Sequence, residues 1–73
     1  MRVLLVEDNK LLAQGVMLSL AKEGIQVDHL PSYKQAEVAL NNEDFSAIIL
    51  DLGLPDGNGA DLLKLWRRNG ISL

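Results

Sequence analysis

Two short apolar runs, each ending directly on acids, constrain this chain more than any other feature. Arg2 to Val6 reads RVLLV, and Phe45 to Leu50 reads FSAIIL. Neither approaches the ~20 apolar residues of a membrane span. Both are apolar at consecutive rather than alternate positions, the pattern of a strand covered on both faces. Strands of that kind belong to parallel sheets packed between helices. Glu7 and Asp8 follow the first run, and Asp51 ends the second.

The intervening segments have helical spacing. From Lys10 to Glu23, Leu12, Val16 and Leu20 recur every fourth residue, with Ala13 and Met17 beside them. That spacing predicts an amphipathic helix, with Asn9 as its N-cap and Gly24 just past its end. Ile25 to Leu30 reads as a second strand, stopped by Pro31-Ser32. Ser32 and Gln35 resemble a capping box for a weaker helix that carries Ala36, Ala39 and Leu40 and ends near Asn41-Asn42. After the Gly53–Gly59 loop, Ala60 to Asn69 is helical, with Leu62, Leu63, Leu65 and Trp66 as its stripe. Gly70 closes that helix, and Ile71 to Leu73 reads as the approach to another strand.

The order is therefore β-α-β-α-β-α, an α/β chain with a parallel sheet and helices on both faces. Right-handed crossovers favour strand 1 in the centre, strand 2 on one side and strand 3 on the other. The gap between strands 1 and 3 is then a topological switch point, where ligands bind at the C-terminal strand ends.

Composition removes several function classes. The 73 residues hold 7 Lys and Arg against 10 Asp and Glu, a net charge of −3, which makes a poor nucleic-acid surface. With no Cys and one His, neither a disulfide scaffold nor a zinc finger fits. The strand-like start shows no sign of a secretory leader, so a cytoplasmic setting without membrane contact is expected. A chain this short buries only about 60% of its unfolded surface and ordinarily needs a staple or a partner.

The strand order brings Glu7, Asp8 and Asp51 into one crevice, since neighbouring strands lie about 4.8 Å apart. Two unit charges 4 Å apart repel by roughly 4 kcal/mol at an effective dielectric of 20. Either one acid keeps its proton or a divalent cation sits among them. Oxygen-only ligands point to a hard ion such as Mg2+. A carboxylate beside Mg2+ can accept a phosphoryl group as an acyl phosphate. The loop Gly53-Leu54-Pro55-Asp56-Gly57-Asn58-Gly59 lets backbone groups approach such a ligand, and a carbonyl there could complete the metal shell.

LLVEDN near the start and IILDLGLPDGNG further on resemble the receiver domain of two-component response regulators, in the branch of the OmpR/PhoB-like winged-helix transcription regulators. The resemblance covers the whole chain. It implies a flavodoxin-like, doubly wound parallel sheet, here limited to strand order 2-1-3. It implies that Asp51 is the phosphoacceptor and a sensor histidine kinase the donor. It implies that Asp8, Asp51 and the Gly53 carbonyl bind Mg2+, with Glu7 acting through water or behind the ligands. Residues of the first helix such as Leu11 and Gln14 would face the kinase. DNA would be bound through a separate effector domain, and the receiver would be a phosphoacceptor rather than an enzyme.

The departures from the family pattern are specific. Family receivers continue through a fourth strand ending in Ser or Thr and a fifth ending in Lys. This sequence has no Thr, Ser72 falls too early, and Lys10, Lys22, Lys34 and Lys64 all lie in helices or at their starts. Residues 1–73 are thus expected to be an incomplete receiver without strands 4 and 5 or a DNA-binding domain, able to bind Mg2+ weakly but not to switch. An apolar strand 3 without its outer neighbour would favour oligomers through that edge. A Mg2+-dependent phosphohydrolase with an Asp nucleophile is a further alternative, although Gly53 stands where such enzymes place a second Asp.

Other residues have plainer readings. Asp56 and Pro55 suit a turn, and Asn58 an N-cap. His29, late in strand 2, is expected well away from the acids, solvated or partly packed. Trp66 suits packing in the core or at a lost interface, and partial exposure of it would fit an incomplete domain. Lys64, Arg67 and Arg68 complement the dipole at a helix end.

Overall fold

A computed structural model describes residues 1–68. The elements alternate as β1 (Arg2–Val6), α1 (Lys10–Lys22), β2 (Gln26–Leu30), α2 (Tyr33–Asn42), β3 (Ala47–Leu50) and α3 (Gly59–Arg68). The three strands form a parallel sheet in the order β2-β1-β3. The sequence expectation of a central first strand is met. The expected helix end at Asn69 and Gly70, and the strand approach at Ile71–Leu73, lie outside the described residues.

Chain chemistry sets the element ends. The Asn9 side chain accepts from the Leu12 amide at 3.1 Å, capping α1. Gly24 follows α1 with φ +75°, a left-handed conformation that glycine adopts without a Cβ penalty. Ser32 caps α2 by accepting from the Gln35 amide at 3.3 Å. Asn58 accepts from the Ala60 amide at 2.9 Å at the start of α3.

The core lies on one face of the sheet. Leu4 and Val6 of β1 pack there with Tyr33, Ala36 and Leu40 of α2, Leu62 and Trp66 of α3, and the loop residues Phe45 and Leu54. By the two-residue period of a strand, Val3 and Leu5 point to the opposite face. On that face Leu5 lines an open cleft with Leu12 and Val16 of α1.

Two packing expectations are corrected. Leu12, expected on the buried face of α1, is 56% exposed, while Ala13 is fully buried. β3 begins at Ala47 rather than Phe45, and Ile49 is 40% exposed. The outer edge of β3 has no strand beside it among the described residues. Trp66 is 6% exposed and packs in the core with Tyr33, Ala36 and Leu40 of α2, in line with the core reading.

Arg2 clasps the N-terminal end of the sheet. Its guanidinium bonds Asp28 on β2 and Glu43 after α2, and lies 4.7 Å from the centre of the Phe45 ring. The bonds to Glu43 and then to Asp28 raise its pKa above the ordinary arginine value. This end is remote from the acids, which all follow the C-terminal strand ends.

Candidate functional site

The register places the acids. Val6 of β1 is level with Leu50 of β3, so Glu7 and Asp51 leave the sheet side by side. The ladder runs one step beyond the strands. The Asp51 amide donates to Val6 O at 3.0 Å, and the Glu7 amide to Leu30 O at 3.1 Å. Glu7, Asp8 and Asp51 each present a carboxylate oxygen, all within 4.8 Å of one another. Glu7 is 8% exposed, Asp51 half-buried and Asp8 exposed. The cluster therefore runs from a covered floor to an open mouth.

Two of the three acids are held by the amide two residues further along the chain. Glu7 Oε1 accepts from the Asn9 amide at 3.1 Å. Asp51 Oδ1 accepts from the Gly53 amide at 2.8 Å. Burying a carboxylate without a countercharge is costly, and no cationic side chain pairs with any of the three among the described residues. Oxygen donors gathered this closely, with no nitrogen or sulfur among them, suit a hard divalent cation. The site residues expected from the sequence thus converge, with Gly53 tied directly to Asp51.

The family model for the response regulator receiver domain matches residues 3–73. The chain belongs to this family. Its relatives include the transcriptional regulatory protein PmrA of Pectobacterium parmentieri, 45% identical over 94% of this chain and 31% of that protein. The transcriptional regulatory protein PhoP of Escherichia coli K12 is 44% identical over 100% of this chain and 33% of its own. Among solved structures, the receiver domain of the Francisella response regulator 1452 superposes with a TM-score of 0.84 at 28% identity, covering 96% of this chain and 58% of that one. The receiver chain thus spans about a third of the length of these curated relatives.

Three residues at this receiver site were not legible as parts of it. His29 was expected far from the acids, yet its Nε2 lies 2.7 Å from the Glu7 carbonyl oxygen. His29 is level with Leu5 on the neighbouring strand, and the imidazole reaches along β1 to the residue after Val6. Asp56, expected as a turn residue, spans two amides of α2. Its Oδ1 accepts from Tyr33 N at 3.2 Å and its Oδ2 from Lys34 N at 3.1 Å. Tyr33, a core residue by burial, donates its hydroxyl to the Asp51 carbonyl at 2.5 Å. The pairing of β1 with β2 could have signalled His29. Nothing in the sequence spacing signals Tyr33.

Proposed function

We propose that this chain is the phosphoryl-accepting part of a two-component response regulator. Asp51 is the phosphoacceptor in this reading. Asp8, Asp51 and the Gly53 carbonyl hold Mg2+, and Glu7 acts through water or from behind the ligands. The convergence of Glu7, Asp8 and Asp51 within 4.8 Å carries the proposal. Bound there, Mg2+ would neutralise phosphoryl oxygens.

The protein's own part is positional. β1 and β3 hold the acids level, and the Gly53 amide orients the Asp51 carboxylate. A sensor histidine kinase supplies the phosphoryl group. An Asp51 carboxylate oxygen forms the new P–O bond as the P–N bond to the donor imidazole breaks, and the imidazole leaves with a proton. In a cytoplasmic protein of the relatives' length, the acyl phosphate would control DNA binding by an effector domain.

The test is labelling by a small phosphodonor with Mg2+, in the full-length protein and after Asp51→Asn. Label is expected in the first and absent from the second. Equal labelling of both would remove Asp51 from its role.

A second reading concerns the 73-residue chain by itself. Ile49 and Leu52, at and just after β3, are 40% and 69% exposed. These residues favour association of copies through the outer edge of β3.

A further inference from the structure

Tyr33 is the first residue of α2, and both its side chain and its amide are hydrogen-bonded to the segment after β3. Its hydroxyl donates to the Asp51 carbonyl at 2.5 Å and accepts from the Leu54 amide at 3.4 Å. One oxygen thus bridges the residue carrying the acid and the peptide unit three positions later. Its ring borders Gly57, where an added Cβ would meet Tyr33 Cδ2 at 3.2 Å. Its own amide is fixed by Asp56 at 3.2 Å.

The Leu54 amide belongs to the same peptide unit as the Gly53 carbonyl. That unit is planar, and no peptide bond among the described residues is cis. In a trans unit the N–H and C=O point in opposite directions. Turning the Leu54 N–H toward Tyr33 therefore turns the Gly53 C=O away from it. Both Tyr33 and Leu54 are 5% exposed, so water is poorly placed to replace this bond. The Gly53 amide is meanwhile tied to Asp51 Oδ1 at 2.8 Å. Both peptide units of Gly53 are thus set, one by Asp51 and the other by Tyr33.

We propose that Tyr33 is a positioning residue for the cation site, aiming the Gly53 carbonyl through its hydroxyl bridge between Asp51 and Leu54. This rests on the reading of Asp8, Asp51 and Gly53 as the Mg2+ ligands. Tyr33 touches neither cation nor phosphate. It removes rotational freedom from a ligand that would otherwise have to be ordered on binding, which is how groups behind a metal's ligands strengthen a site.

The experiment is a Mg2+ titration of the 73-residue chain followed through the amide resonances of Asp8, Gly53 and Leu54. Tyr33→Phe keeps the ring and removes the hydroxyl. It is expected to weaken Mg2+ binding about tenfold. The circular dichroism of the folded protein should not change. A purely structural tyrosine would lower the melting temperature but leave the Mg2+ dissociation constant of the folded chain unchanged, and that result would overturn the inference alone. No Mg2+ response in the unsubstituted chain would overturn the underlying reading and the inference with it. Tyr33 is the chain's one tyrosine, so 3-fluorotyrosine labels it uniquely and tests the unsubstituted fold. Its fluorine resonance should follow the same Mg2+ curve as the Gly53 amide. A resonance unmoved at Mg2+ saturation would also overturn the inference.

Discussion

The imidazole Nε2 of His29 donates to the backbone carbonyl of Glu7, 2.7 Å away. A carbonyl oxygen only accepts, so Nε2 carries the proton. The acceptor shares a peptide unit with the Asp8 amide. His29 therefore anchors the chain between two acids of the site from the far side of β1, while β3 and Asp51 lie on the near side.

This anchor predicts an asymmetry between two substitutions. His29→Leu removes the donor and should destabilise the chain by about 1 kcal/mol in urea unfolding. His29→Gln keeps an N–H donor and should lose less. Equal losses would mean that ring packing, not the hydrogen bond, sets the effect.

Asp56 joins the loop after β3 to the first turn of α2 through two amides. Asp56→Ala would leave both unpaired and remove a negative charge from a helix N-terminus. The expected loss is about 1–2 kcal/mol in thermal or urea unfolding. Asp56→Asn keeps one acceptor oxygen and should lose roughly half as much. A neutral Asp56→Ala would show that Ser32 alone suffices as the cap.

These two residues mark where sequence reading stopped. RVLLV and FSAIIL, with helical spacing between them, sufficed for the element order and the central place of β1. Adjacency of β1 and β3 then brought Glu7, Asp8 and Asp51 together. His29, Asp56 and Tyr33 act through side-chain reach between elements distant in sequence, which no local period encodes. Their residue types are ordinary for a strand end, a turn and a core. The exposure of Ile49 and Leu12 was also illegible. Apolar identity says that a residue can be buried, not that a covering element is present.

If the acid cluster holds Mg2+ as proposed, stability should depend on divalent cations in a way that reverses with substitution. Without a cation, charges 4.8 Å apart repel by roughly 3 kcal/mol at an effective dielectric of 20, and by under 1 kcal/mol in water. Asp8 is exposed, so the lower end applies, and Asp8→Asn should stabilise the metal-free chain by about 1 kcal/mol or less. Mg2+ at a hundredfold excess over its dissociation constant should stabilise the unsubstituted chain by about 2.7 kcal/mol. Asp8→Asn should gain little from it. The two unfolding curves should therefore exchange order on adding Mg2+. Parallel responses would place the cation elsewhere.

The outer edge of β3 yields the last prediction. β3 pairs with β1 on one side and with no strand on the other among the described residues. Its free amide and carbonyl groups sit beside Ile49 and Leu52, which are 40% and 69% exposed. An apolar strand with an unpaired ladder is a template for another copy. The 73-residue chain should therefore gain weight-average mass with concentration in analytical ultracentrifugation. Ile49→Lys puts a charge where an approaching copy would desolvate it, and should shift the chain toward monomer. The exposed Leu18 on α1 provides the control, because Leu18→Lys changes charge equally but lies away from this edge. A monomer at every concentration would exclude edge association, and equal effects of the two lysines would reduce it to net charge.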